Sequence, residues 1–477
     1  MSNASRITRH PSPATPVQCH KKLKMQEIQE KFRNLFIMKQ KVINDPVHGF
    51  ILIDPPLILE LMDSYTFQRL RRIRQLGTTF ITYPGAEHTR FAHSIGVFYL
   101  ATKIISHLLN LSGNPFSHLN REEKERLHLL VQVAGLLHDI GHGPLSHVFE
   151  RISGLPHEEW TKKIILGDEN CDEIHTILTG KNNPFGTDFP SDLLAILNNK
   201  YIDPKEGYLS CVNPIISSQL DADRLDYLQR DAYYTGVRSG FIDADRIIYT
   251  LDLYKSEEDG KVKEKIVVWD KSFYNVEEYI FSRYYMYWKV YHHRTTRFFD
   301  LLFMNIVKRL KESKEPDDLN IASKNLLNIL IKPSPSLQDW LMLDESDLLY
   351  SIKMWAFYGK DAILKDLCER FINRKVFKSI PDSFIVNEEK IEEVKSFLLG
   401  KGLSPEYYFL QDTASKVAYD FYTEEHERIY IMDKYTHKPC PISDLSDKVR
   451  TLAKKNIEKR FYVHPDFHEH ILKILKV

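Results

Sequence analysis

The 477-residue sequence has no run approaching the ~18 consecutive apolar residues that cross a membrane, which argues against a helical membrane protein. It has no excess charge of either sign: 65 Lys and Arg balance 65 Asp and Glu, so nothing global favours nucleic acid or a membrane as partner. Cysteine is sparse. Cys19, Cys171, Cys211, Cys368 and Cys440 are scattered, odd in number and never spaced CxxC, which predicts reduced thiols in a cytoplasmic protein. The N-terminal stretch lacks the apolar segment that a secretory signal needs. Walker loop, GxGxxG fingerprint and internal repeat are also missing, so any phosphate binding must come from side chains and metal.

Residues 1–40 carry eight Lys and Arg against two Glu and predict a basic, disordered extension; a basic arm for nucleic acid is the less favoured reading. From about 50 to 235 the pattern is mainly helical, with polar loops at 112–121 and 179–190. Residues 248–269 predict a hairpin turning at Glu257-Glu258-Asp259-Gly260, and 275–312 predict one long helix with an aromatic face. Helices broken at Pro316, Pro333, Pro335, Pro381 and Pro405 come next, and the C-terminal stretch alternates short strands (RIYIMD, RFYVH) with a helix.

What is present in abundance is a set of metal-ligand types on buried helices. The run LLVQVAGLLH at 129–138 offers almost nothing to solvent, and it delivers His138 and Asp139 side by side before Gly143-Pro144 ends the helix. A buried imidazole beside a buried carboxylate needs a strong partner, and a divalent cation satisfies both. A single His-Asp hydrogen bond capping a helix end would satisfy the dipeptide alone. Two other segments favour the metal. Arg90 and His93 share a helical face at i, i+3, and Asp223, Tyr227 and Asp231 recur at i, i+4, i+8. His93, His138, Asp139 and Asp223 together make a mixed N/O set that suits Fe, Mn, Co, Ni or Zn.

These words, in order, resemble the HD-domain deoxynucleoside triphosphate triphosphohydrolases, a family that includes the sterile-alpha-motif/HD-domain enzyme of animal cells. The matching blocks are KVINDPVHGF at 41–50, FQRLRRIRQLG at 67–77, YPGAEHTRFAHSIGV at 83–97, AGLLHDIGHGPLSHVFE at 134–150 and LDADRLDYLQRDAYYTGV at 220–237. The likeness covers roughly residues 41–300, and the sterile-alpha-motif domain has no counterpart. It implies a mainly α fold: an HD-domain helical core over 41–312 with a small β-hairpin, then a C-terminal helical and α+β appendage over 313–477, regulatory or oligomerising. It implies a divalent ion (Fe, Mn, Ni, Co, Zn or Mg) on His93, His138, Asp139 and Asp223, and dNTP cleavage to deoxynucleoside and triphosphate. His142, His147 and His157 become the catalytic imidazoles, with His147 favoured as the acid that protonates the leaving oxygen. Arg90 forks onto a phosphate, unless a neighbouring carboxylate holds it in a salt bridge.

By the same resemblance Gln75 and Leu76 lie under the deoxyribose, Tyr227 and Asp231 read the sugar, and Arg283, Tyr287 and Tyr291 add phosphate and stacking contacts. Core or oligomer packing is the competing reading of that Tyr-rich helix. Tyr287 and His292 stand where the animal enzyme has His and Gln, so base preference does not transfer. Lys41, Val42, Asp63, Gln68 and Arg71 match a guanine-nucleotide activator site, implying dGTP or GTP as activator and a homo-oligomer, dimer or tetramer. On sequence alone RLRRIR there is a solvated basic face. Two other functions stay open: an HD nucleotidase or phosphodiesterase using the same metal residues, and a non-catalytic nucleotide-sensing oligomer. The missing GYP motif after the HD pair argues against a cyclic-dinucleotide phosphodiesterase, and retention of every ligand and catalytic His argues against the sensor.

Overall fold

A computed structural model describes residues 41–54, 56–111, 115–200, 211–258, 261–313, 315–381, 388–416, 428–452 and 456–475. The extension expected over 1–40, Cys19 and the turn pair at 259–260 lie outside the described residues. The fold is mainly α, with three small sheets.

Two antiparallel helices, Arg90–Leu109 and Arg121–Leu137, form its centre. The second begins with a capping box in which Asn120 accepts from the Glu123 amide at 3.0 Å and Glu123 accepts from the Asn120 amide at 2.8 Å. Gly135 lets the pair close up, since a Cβ there would stand 3.1 Å from the Val97 carbonyl and 3.0 Å from the Ala101 methyl. The helix ends at Leu137 with His138 as its cap, earlier than Gly143-Pro144 predicts. Residues 138–146 form a tight irregular loop instead.

The helix Ala222–Thr235 packs across the first of these, with Asp221 as N-cap and Gly236 leaving it at φ 74°. Gly96 permits the crossing: a Cβ there would lie 1.8 Å from Asp226 Oδ1, so only glycine leaves room for that carboxylate.

The single helix expected over 275–312 is two, Phe273–Met286 and Arg294–Glu312, joined by a wide turn over Tyr287–Tyr291. The second restarts where the His293 ring accepts from the Thr295 amide at 3.2 Å. Pro316 and Pro405 open short helices rather than ending longer ones, because the first helical turn needs no proline N–H.

The hairpin is present as Leu251–Glu258 antiparallel to Lys261–Trp269, but it is not isolated. Tyr430–Met432 adds to it in parallel, and Pro439–Pro441 completes a four-stranded sheet. Lys378–Pro381, Asn456–Val463 and Phe409–Lys416 form a second, antiparallel sheet. One apolar core runs from Ile51 to Tyr462 through both halves of the chain, and a smaller cluster of Ile380, Val394, Leu398, Val463, Ile471 and Leu475 sits beside it.

The basic run at 69–74 is not a uniformly solvated helix face. Arg69 is fully buried, its Nε donating to the Leu343 carbonyl and its Nη1 to the His142 carbonyl, each at 2.9 Å. Arg72 pairs with Asp344, and Arg74 with Glu345 at 2.6 Å. Carboxylates more than two hundred residues away in sequence pair with Arg72 and Arg74, and distant carbonyls with Arg69, which no local pattern reveals.

Candidate metal centre and active-site cleft

The three helices bring the expected ligands to one point. His93 Nε2 lies 3.0 Å from Asp223 Oδ1, 3.2 Å from His138 Nε2 and 3.6 Å from Asp139 Oδ2. His138 Nε2 is 3.4 Å from Asp139 Oδ1 and 3.7 Å from Asp223 Oδ1. The outer nitrogens are fixed: His93 Nδ1 donates to Asp226 Oδ2 at 2.7 Å and His138 Nδ1 to the Gly135 carbonyl at 2.9 Å. Both Nε2 lone pairs therefore face each other and two carboxylates, an arrangement that needs a positive charge in its middle. Burial disfavours a charged His93, yet hydrogen bonds to Asp223 and Asp226 outweigh it and lift its pKa to about 10. The cluster attracts a proton where a divalent ion would displace one, so its donor set fits a metal.

Asp226 is the support that local sequence reasoning missed. One oxygen accepts from His93 and Arg230, the other from His48 at 2.6 Å and Arg230 at 2.9 Å, and Arg230 reaches Asp45 at 2.9 Å. His48 and Asp45 lie in the block 41–50, and Asp226 stands one turn beyond Asp223, which was the available signal.

Catalytic candidates adjoin the ligands. His142 Nε2 lies 3.3 Å from Asp139, and its ring stacks on His157 at 3.7 Å between centroids and 15° between planes. Glu150 sits 2.7 Å from His157 Nδ1 and 3.3 Å from His142 Nδ1. Burial, then the Arg90 charge, pushes His142 down to about 4. Burial opposes ionisation of Asp139, but Arg90, His138 and His142 together hold it well below the usual carboxylate range. His147 opens the helix His147–Ser153, and its side chain lies outside the described residues. Just before it Leu145 and Ser146 take φ of 54° and 52°, two consecutive left-handed residues that cost about 1–2 kcal/mol each and mark a loop held by its surroundings.

Arg90 makes the salt bridge considered as its alternative role, to Asp139, and also donates to Ser146 Oγ at 2.7 Å. It still lines a cleft of about 440 Å3 together with Asp139, His142, His157, Asp223, Gln75, Leu76, Tyr227, Asp231, Tyr287 and Tyr291. Asp231 is gripped by His88 Nε2 at 2.8 Å and by the Tyr291 hydroxyl at 2.6 Å. Arg283 is not among the lining residues. It is buried and donates to Gln219 Oε1 at 2.8 Å, with its guanidinium 5.9 Å from the Tyr287 ring centroid. Arg151, Arg297 and Asp300 also line the cleft, without a local motif to announce them. The activator candidates form an exposed patch: Lys41 lies 3.5 Å from Asp63, Arg71 donates to Gln68 at 2.8 Å and covers the Phe91 ring, and Val42 is exposed. Among the described residues no helix is long and apolar enough to cross a membrane, and Cys171, Cys211, Cys368 and Cys440 are free thiols.

The family model described as "HD domain" matches residues 90–231, the span from Arg90 to Asp231. The chain is 39% identical to the uncharacterized protein YwfO of Bacillus subtilis over 83% of its own length and 85% of that protein. It is 31% identical to the deoxynucleoside triphosphate triphosphohydrolase SAMHD1 homolog of Dictyostelium discoideum, over 62% of this chain and 56% of that one. Among solved structures it is similar to a phosphohydrolase from Bacteroides thetaiotaomicron, with TM-score 0.72 and 31% identity over 89% of this chain and all of the other. Fold and site together define a metal-dependent phosphohydrolase. The chain belongs to the HD-domain family of phosphohydrolases.

Proposed function

We propose that this protein hydrolyses deoxynucleoside triphosphates to deoxynucleoside and inorganic triphosphate, with water attacking the α-phosphorus. The observation that carries the reading is one cleft in which Arg90, Asp139, His142 and Asp223 share the lining with Gln75, Leu76, Tyr227, Asp231 and Tyr291. Phosphate-handling and sugar-reading groups thus border a single space. A divalent ion on His93, His138, Asp139 and Asp223 would polarise a phosphoryl oxygen and acidify bound water.

The chain's own groups do the rest. Arg90, kept in place by Asp139 and Ser146, presents its guanidinium to a phosphate oxygen. Glu150 holds His157 through Nδ1 at 2.7 Å, and Nε2 of that ring is assigned the proton transfer to the leaving oxygen. His147 is the other acid candidate, and the single variants His147→Ala and His157→Ala separate the two. Leu76 closes on the sugar at the 2′ carbon, and Asp231, oriented by His88 and Tyr291, accepts from the 3′-hydroxyl. The patch of Lys41, Val42, Asp63, Gln68 and Arg71 binds a guanine nucleotide, dGTP or GTP, in a homo-oligomer. In support, the outward face of the strands at 41–53 leaves Val42, Phe50 and Leu52 exposed, apolar area that a second copy would cover.

The test is chromatographic product analysis of protein loaded with Mn, Fe, Co, Ni, Zn or Mg and given each dNTP, with and without dGTP or GTP. Triphosphate and deoxynucleoside that disappear in His138→Ala/Asp139→Ala support the reading; intact dNTPs beside cleaved monophosphates or diesters overturn the substrate assignment. One observation favours that second reading. Asp139, His142 and His157 also offer ligand atoms within 4.8 Å of one another, the makings of a two-metal phosphodiesterase or nucleotidase. Two metal ions per chain would bring it forward.

A further inference from the structure

We propose that Trp340 is a positioning residue for catalysis, and that the segment 337–345 sets the register of the His142–His157 pair. Those imidazoles come from two separate segments, the loop after Asp139 and the helix His157–Leu166. Trp340 touches both. It is fully buried, and its Nε1 donates to the Gly141 carbonyl at 3.0 Å. Its ring lies over Gly143, where a Cβ would stand 2.8 Å away, so that position accepts nothing larger than glycine. The ring also stacks on Trp160 at 4.5 Å with 5° between planes, one helical turn beyond His157. Trp340 therefore bridges the two segments that carry the histidine pair, bonded to the loop at Gly141 and stacked on the helix at Trp160, so that fixing the tryptophan contact fixes the histidine stack.

The rest of the loop is gripped in the same way. Gly141 N donates to Thr161 Oγ1 at 3.2 Å, and a Cβ on Gly141 would strike the His157 carbonyl at 2.2 Å. Arg69 binds the His142 carbonyl with Nη1 and the Leu343 carbonyl with Nε. Glu345, almost wholly buried, accepts from the Arg74 amide and guanidinium. Between them these contacts hold a loop that carries two left-handed residues and would otherwise relax. All of the gripping residues after 336 lie beyond the span matched by the HD-domain model. The C-terminal half thus completes the active site rather than decorating it.

The inference rests on the proposed hydrolysis only for its kinetic readout. Trp340→Phe keeps the stacked ring and removes the N–H. Trp355→Phe is the control: Trp355 is equally buried and its Nε1 donates to the Asp318 carbonyl at 2.7 Å, far from the loop. Full-length metal-loaded proteins are compared for kcat and KM, metal content and amide exchange over 139–147. The expected result is a kcat at least tenfold lower in Trp340→Phe, KM within twofold, full metal content and faster exchange in the loop. Trp355→Phe should show none of these. Wild-type kcat and loop exchange in Trp340→Phe, equal losses in both variants, or a kcat that falls only with lost metal, would each overturn the proposal. If the wild type cleaves no dNTP, the hydrolysis reading fails, and loop exchange in the two variants still decides this one.

Discussion

The ligand cluster and the exposed patch at 41–71 are both sets of residues singled out by the same resemblance, yet they are built in opposite ways. At the cluster three of the four ligands are held from outside: His93 by Asp226, His138 by the Gly135 carbonyl, Asp139 by Arg90. At the patch, Lys41 and Asp63 are half exposed and meet at 3.5 Å, with Val42 open to solvent beside them. The chain fixes the first from its outer side, leaving only its centre for a cation, and leaves the second open-faced. Preorganisation marks the place where charge must be handled; the open patch is where the proposed activator and second copy would add partners.

That contrast can be broken by experiment. The largest effect belongs to His138→Ala/Asp139→Ala, expected to lose bound metal and at least about a thousandfold in hydrolysis; elemental analysis and product chromatography read both, and retained activity would separate the cluster from the chemistry. Next is Asp226→Asn, which touches no substrate but loosens His93. Its metal affinity should fall about 10–100-fold in chelator competition, and an unchanged affinity would mean that the buried network is only structural.

Asp300 sharpens the comparison, being a largely buried cleft carboxylate outside the ligand cluster, held by Thr78 at 2.6 Å and facing Arg297 at 3.4 Å. Burial lifts its pKa from 3.8 to about 6, so the folded state binds the proton more tightly than the unfolded chain. Its stabilising contribution is complete below the unfolded value and is lost as pH rises through about 6. Asp300→Asn, which cannot ionise, should be more stable than wild type by about 1–2 kcal/mol at pH 7.5 and indistinguishable at pH 4 in urea melts. The smallest effect is Lys41→Ala, below about 1 kcal/mol in stability because its pair is solvent-screened, with any loss confined to activator dependence.

Periodicity and turn chemistry made much of the molecule legible. The face of Asp223, Tyr227 and Asp231, the hairpin at 251–269 and the C-terminal strands follow local patterns that the fold keeps. Local patterns failed where a distant partner decides. The helix through 275–312 breaks at the wide turn over Tyr287–Tyr291, and Arg283 is held by Gln219, well before it in the sequence. Arg69 reads as surface because its acceptors, the carbonyls of His142 and Leu343, are far away in sequence. Trp340 has no motif at all, and only the folded contact with Gly141 gives it a role.

The clamp from Trp340 to Glu345 also orders events in time. A ribosome releases His93, His138, Asp139 and Asp223 well before Trp340, an interval on the order of ten seconds at ~5–20 residues per second. Every candidate ligand is then outside while the loop bearing His142 still lacks its C-terminal supports. The loop bearing His142 can reach its final register only when the later helices dock, so this side of the cleft closes as a late, long-range step.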